Sequence, residues 1–314
     1  MEVEFDAFTP IGSKETKTNS SDIATAIFKT YSLGVSTNRD DVVYGFDKEV
    51  LLKRVANFCE AYNAEITRYQ QKNKPKDVDS FLRYDVIKWS RNLKRGLRNL
   101  EMLQFDKANV RASAYRPFTK QCLYFADVIV DEEGANRLFL PTEAAEKESL
   151  LICVSDHGFR SPFSSLLVNN IPDLHLCASS DGFQCFPFYT YNEDGTNRRE
   201  NITDWALAQF REHYGDAAIT KWDIFHYVYA MLHHPLYRER YAANLKRELP
   251  RIPYAPDFRA FASAGARLAE LHVHYETQPE YPLEKIENPK AKLDWRVEKM
   301  KLSKDKQQIV YNDF

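Results

Sequence analysis

The chain has 314 residues, 44% hydrophobic and 28% charged, which predicts one large domain or two modest ones and excludes a mainly disordered chain. Its net charge of −2 excludes a wholesale polyanion binder, so any nucleic-acid surface has to be a local patch. Five cysteines without CxxC spacing, no apolar stretch of about 20 residues and no basic-then-apolar leader point to reduced thiols, no membrane span and no signal peptide, hence a cytoplasmic protein.

The first forty residues read as loops with a short helix around Ile23 to Tyr31. A strong helix is predicted over Asp47 to Gln71, where Leu51, Val55, Phe58, Tyr62, Ile66 and Tyr69 form one apolar stripe. After a polar break holding Pro75, a second helix is predicted over Asp79 to Leu100, with Val86, Trp89, Leu93, Leu97 and Leu100 on its apolar side. The middle of the chain reads as strands at Gln121 to Val130, Ser149 to Ser155, Phe163 to Val168 and Leu174 to Ala178, followed by a long surface loop from Asp181 to Arg199. Thr220-x-x-Asp223 opens a helix from Trp222 to His234 as a capping box. Pro235 ends it and starts another, Leu236 to Leu249. Pro250, Pro253 and Pro256 force an extended segment. A last helix runs from Asp257 to about His272 with Phe258, Phe261, Leu268 and Leu271 inward. Two strands, Leu293 to Leu302 and Gln308 to Tyr311, close the chain. The expected fold is mixed α/β: a central β-sheet region flanked by N-terminal and C-terminal helical portions.

Many catalytic patterns are absent from the sequence. It has no GxGxxG, no GxxxxGK[ST], no GxSxG, no HExxH and no Asn-Pro-Pro-aromatic tetrapeptide. His226 and His233 share a helix face, but no carboxylate or cysteine completes a ligand set, so a structural role is expected. His272 reads as a partner of its helix's C-terminal dipole, and Ser179-Ser180-Asp181 as a turn. What stands out is positive charge. Residues 88 to 120 hold nine basic residues against Glu101 and Asp106. Lys88, Arg91, Lys94, Arg95 and Arg98 line one side of the second helix and have few interleaved acids to pair with. They lead into Tyr115-Arg-Pro-Phe-Thr-Lys-Gln121, where Arg116, Lys120 and Gln121 offer phosphate and base-edge donors. A solvated helix face is the ordinary explanation of such a charge run. Pro117 disfavours helix at Arg116, so the segment is extended or turned. Phe118 is the natural core anchor there, but strict strand alternation would put Arg116 and Lys120 on its side, which leaves two outcomes: Arg116 ties down a carbonyl or carboxylate and Lys120 and Gln121 are nearer to DNA, or the segment is a loop and Arg116 reaches DNA.

At these residues the sequence resembles the C-terminal target-recognition, or specificity, domain of type ISP restriction–modification enzymes. The resemblance is carried by Asp85-Val-Ile-Lys-Trp-Ser-Arg-Asn-Leu-Lys94, Tyr115 to Gln121, Ile171-Pro-Asp-Leu-His-Leu-Cys-Ala-Ser-Ser-Asp-Gly-Phe-Gln-Cys-Phe-Pro187, Trp222-Asp-Ile-Phe-His-Tyr-Val-Tyr229, His233-His-Pro-Leu-Tyr-Arg-Glu-Arg-Tyr241, Glu248-Leu-Pro-Arg-Ile-Pro253 and Trp295-Arg-Val-Glu-Lys-Met300. It spans nearly the whole chain.

The resemblance implies a module that reads a short site on double-stranded DNA. It would position an adenine-N6 methyltransferase and a helicase–nuclease carried by other domains or subunits. Residues 1–112 would be a helical portion abutting a methyltransferase-like region, and 113–314 the recognition domain. DNA contacts are expected from Lys88, Arg91, Lys94, Arg95, Arg98, Arg116, Lys120 and Gln121. No catalytic residue, metal or cofactor is expected in this chain; S-adenosylmethionine, ATP and Mg would belong to the rest of such an enzyme. The chain would then be a fragment, a split subunit or a truncated product, not an enzyme in isolation. The rivals are part of a split adenine-specific methyltransferase and a scaffold that binds no DNA.

Overall fold

The computed structural model describes residues 2–14, 25–178, 180–290, 297 and 300–310. Residues 1–276 form one compact unit and 277–314 a second.

The first unit is organised by two four-stranded sheets, with Thr9–Pro10 (β1) paired apart from them to Arg251–Ile252. One has the order β2-β9-β6-β7, from Ser32–Leu33 (β2), Phe183–Pro187 (β9), Leu151–Ser155 (β6) and Ser165–Val168 (β7), all antiparallel. The other has the order β3-β5-β4-β8, from Tyr44–Gly45 (β3), Thr119–Tyr124 (β5), Val110–Arg116 (β4) and Ile171–Pro172 (β8), with β4 and β8 parallel. Position 112, where the sequence reading divides the chain, lies inside β4.

The first sheet is buried on both faces. Alternate residues of β6 point to opposite sides, so Leu151 and Cys153 join one apolar cluster while Ile152 and Val154 join another. On one side its residues share an apolar cluster with the second sheet and with helix α1 (Lys48–Gln71), which packs on β3 and β5; on the other side α4 (Lys221–His233) and α6 (Phe258–Val273) pack on β7, with α3 (Asp204–Tyr214) in the same cluster. A sheet covered on both faces needs apolar residues at every position, which is why β6 and β7 read as unbroken apolar runs. The expected sheet between two helical portions is therefore the observed architecture.

Local chemistry sets the helices. Asp47 caps α1, accepting from the Glu49 and Val50 amides. Thr220 and Asp223 form the capping box of α4. Pro235 stands at the first position of α5 (Pro235–Arg240), and Asp257 caps α6. The α4–α6 contact is unusually close: a Cβ added at Gly265 would lie 1.8 Å from the His226 carbonyl oxygen. Ala262, Gly265 and Ala269 therefore form the buried side of α6 together with Phe258 and Val273, whereas the expected inward residues Phe261, Leu268 and Leu271 are only half-buried.

Other expectations are corrected. Residues 25–31 are not helical; Phe28 bridges Ile202, and the remainder of that predicted helix falls outside the described residues. The predicted helix 79–100 is broken. It holds a turn at Val78–Phe81, then an extended Leu82, an irregular stretch to Ser90, and α2 (Arg91–Asn99). Val86 is exposed as a result. The strand expected over 121–130 stops at Tyr124, and 174–178 is a turn. The largest miss is β9, a fully buried strand inside the segment read as a surface loop. The helix α3 was not read at all. The helix expected from 236 to 249 breaks at Tyr241 into α5 and Ala242–Arg247. In the second unit, Lys301–Leu302 pairs with Ile309–Val310 as expected, while most of the earlier part of that hairpin falls outside the described residues.

Candidate nucleic-acid interface

The basic residues divide into free and occupied. In α2, Ser90 caps the N-terminus and Leu93, Gly96 and Leu97 face the core. Gly96 passes so close to α1 that a Cβ would lie 2.5 Å from the Tyr62 hydroxyl. This seating turns Arg91, Arg95 and Arg98 outward. Lys94 instead pairs with Asp79 and is only 21% exposed at its side chain. Arg91 reaches Glu132 at 3.4 Å. The expectation that these positives lack acids to pair with is thus corrected: the fold brings Asp79 and Glu132 to them from outside the helix. Arg95 bonds only to Asn92, and Arg98 makes no close ion pair among the described residues. Lys88 lies not on the helix but on the stretch before it, held between the buried Ile87 and Trp89, with its ammonium unpaired among the described residues.

Tyr115 to Gln121 forms the tip of the β4–β5 hairpin, with a register shift between Ala114 and Arg116. Phe118 is not a core anchor. It sits at the turn with φ +52°, 46% exposed, edge-on to His272 and Tyr275. The turn resolves the expected conflict over which side of a strand Arg116 shares with it. Arg116 donates to the buried Asp173 at 2.7 Å, lies over the Tyr115 ring at 3.9 Å and faces Asp40 at 3.8 Å. These contacts tie Arg116 to the fold. Lys120 pairs with Glu276 at 2.7 Å and stays partly exposed. The Gln121 side-chain amide makes no hydrogen bond among the described residues.

Beside this hairpin opens a polar cleft of about 420 Å³. Its walls come from residues 35–41, from Lys88, and from residues 173–175. Backbone pairing fixes the first and last of these to each other: Val35 bridges Asp173, and Leu174 N–H donates to the Val35 carbonyl at 2.8 Å. Gly34 permits the approach, since a Cβ there would lie 2.5 Å from the Asp173 carbonyl oxygen. The fully buried Arg39 guanidinium ties the 37–41 loop to the rest. It donates to the Ile129 carbonyl and to Ser90 Oγ, and faces Asp131 at 3.8 Å. Burial lowers its pKa, opposed by Asp131. Asn38, at φ +55°, donates to Asp131 at 2.6 Å.

Within the cleft, Asp173 accepts from Arg116 and from the His175 amide; burial raises its pKa against these bonds. Asp40 accepts from Thr37 and from the Tyr115 hydroxyl. His175 Nδ1 lies 3.2 Å from the Asp181 carbonyl, which only accepts, so Nδ1 is the donor in this contact. Asp41 is exposed and has no hydrogen bond or close ion pair among the described residues. Arg39, Asp40, Asp41, Asp173 and His175 were not singled out from the sequence. Nothing in the isolated tripeptide Arg39-Asp-Asp41 signals that its arginine is buried.

Three histidines pack on aromatic rings: His226 on Trp222, and His233 and His272 on Tyr229. His272 contacts the Tyr229 hydroxyl through Nδ1 at 2.5 Å, a side-chain partner and not the expected helix dipole, and the His233 ring packs on both. Burial pushes the His233 pKa down to about 4. Among the described residues no group of three or more His, Cys, Asp or Glu is placed to hold a metal ion, and no helix is long and apolar enough to cross a membrane. Asp181 accepts from the Ser161 amide, which holds its pKa down to about 2; the turn expected at Ser179-Ser180-Asp181 falls partly outside the described residues.

Comparison with known proteins adds the following. A family model described as the type ISP C-terminal specificity domain matches residues 26–314. Three solved structures are similar. A DrdV–DNA complex is 34% identical with a TM-score of 0.80 over 91% of this chain and 28% of that one. A nuclease-deletion mutant of the type ISP restriction–modification enzyme LlaGI, in complex with a DNA substrate mimic, is 30% identical with a TM-score of 0.79 over 99% of this chain and 27% of that one. The ATP-dependent type ISP restriction–modification enzyme LlaBIII, bound to DNA, is 27% identical with a TM-score of 0.79 over 98% of this chain and 20% of that one. The chain thus spans less than a third of each of these proteins. No curated protein matches it.

Proposed function

Because the chain belongs to the type ISP C-terminal specificity domains, we propose that it is the DNA-recognition module of a larger restriction–modification enzyme, reading a site on double-stranded DNA. The observation that carries this reading is similarity over nearly the full chain to one portion of large enzymes held on DNA. Methyltransferase and helicase–nuclease domains or subunits would be its partners, placed on the site that it selects. In this reading the chain carries no cofactor of its own, and S-adenosylmethionine, ATP and Mg serve the other parts.

The free cations fit a division of labour in which phosphate contacts position the protein and base contacts specify the site. Arg95 and Arg98 face outward from α2, whereas Arg91 and Lys94 are already paired. The salt dependence of duplex binding tests this. Each phosphate contact contributes a slope of about 0.9 in log affinity against log salt. Replacing Arg95 and Arg98 with Ala should lower the slope by about 1.8, and adding Arg91→Ala and Lys94→Ala should lower it little further. An unchanged slope in the first variant removes α2 from the interface. Absence of any duplex binding by the intact chain removes the reading itself.

A further inference from the structure

We propose that the chain carries a receptor site for an extended peptide segment, between the strand Arg251–Ile252 and residues 27–28, and that residues 4–12 are a strap that fills it. The strap would fasten what lies ahead of the specificity domain in a larger enzyme to the C-terminal apolar cluster. That task rests on the reading of the chain as a recognition module; the docking itself does not.

The segment lies outside the 26–314 matched by the family model, yet it is seated as deeply as a core element. Phe5 and Ile11 are fully buried, in the cluster that holds α4 and α6. Between them the backbone becomes an inner strand. On one side β1 pairs with Arg251–Ile252, and the Ile11 amide donates to the Pro250 carbonyl at 3.0 Å. On the other, the Ile27 and Phe28 amides donate to the Pro10 and Ile11 carbonyls, both at 2.9 Å. Pro10 has no amide to give and is used through its carbonyl alone. Phe5 and Phe8 pack on the Tyr241 ring, with centroids 5.4 and 5.3 Å away. Glu4 pairs with Arg240 at 2.7 Å, and Arg251 donates to the Asp6 carbonyl at 3.2 Å. Gly12 passes against the stacked Tyr31 and Phe186 rings, where a Cβ would lie 2.9 Å from each.

This is the geometry of strand addition, in which main-chain bonds supply affinity and side-chain pockets supply choice of sequence. The pockets are those of Phe5 and Ile11. Without these two residues the cluster still draws on β6, β7, β9, α3, α4, α5 and α6, so the domain has a core that does not depend on the strap. A segment that is deeply seated, dispensable to the core and outside the family domain is suited to docking.

The test uses the full chain with a folded fluorescent reporter fused ahead of Met1 and a specific protease site inserted within residues 15–24. After cleavage the reporter should co-elute with the module in gel filtration. A synthetic peptide of residues 1–14 should displace it, while the remaining chain keeps a cooperative unfolding transition. Competitor peptides carrying Phe5→Ala, Ile11→Ala or Gly12→Val should each act at least about tenfold more weakly. An Asp6→Asn peptide should match the native one, because Asp6 is held through its carbonyl. These substitutions sit in the competitor, so folding of the chain is not at stake. A reporter that elutes free on cleavage, one that the native peptide cannot displace, a remaining chain that unfolds on release, or a scrambled peptide that competes equally would each overturn the proposal. No step uses DNA, so failure here is read separately from failure of the recognition-module reading.

Discussion

At the scale of single residues, Arg116 shows how a side chain suited to DNA can be spent on the fold. Its Nη1 donates to Asp173 and to the Tyr115 carbonyl, and its plane covers the Tyr115 ring. Asp173 is buried, so removing its cation leaves an acceptor without its charged partner. Arg116→Ala should therefore lower stability by about 2 kcal/mol, measured by urea unfolding, and weaken binding to all duplexes alike through the displaced cleft wall. Unchanged stability with loss confined to one base pair would make Arg116 a base reader instead. This role was legible in the sequence because proline restricts its neighbour. The role of Arg39 was not. Its burial depends on Ile129, Ser90 and Asp131, which arrive from segments about 50 to 90 residues away.

At the scale of elements, legibility followed local chemistry. The capping box at Thr220, the Asp47 cap and the stripe of α1 are all written within one or two turns of sequence, and all appear where expected. Strand β9 could not be read this way. Phe183-Gln-Cys-Phe-Pro187 is short, ends in proline and does not alternate, because both its faces are covered. The inward side of α6 misled for a related reason. Large residues usually mark a buried face, yet here helix–helix contact selects small ones. Gly265→Ala puts two effects in opposition. Ala gains up to about 1 kcal/mol in helix propensity. Its methyl, however, would lie 1.8 Å from the His226 carbonyl oxygen, forcing α4 and α6 apart. Overpacking of this kind costs about 3 kcal/mol. The clash should dominate, giving a net loss of about 2 kcal/mol in urea unfolding. A stabilised variant would show that the two helices separate at little cost.

At the scale of the whole molecule, the central sheet couples the two apolar clusters. Residues of β6 and β7 contribute to both, and β2, from the N-terminal third, pairs with β9. The second sheet interleaves the chain just as tightly: β3 pairs with β5, and β4 lies between β5 and β8. The expected boundary at 112 therefore runs through β4 and shares both sheets between its two sides. Separating the chain after Ala112 would cut β4 and strip α1 of the strands it covers. Each fragment would then expose apolar surface that only the other can bury. The pieces 1–112 and 113–314 should each lack a cooperative unfolding transition, while 1–276, which retains both clusters, should unfold cooperatively. Two independently cooperative fragments would mean that the sheets tolerate loss of β3 and part of β4. In that case the clusters on either side of β6 would be autonomous cores, and recognition could be transplanted without the N-terminal portion.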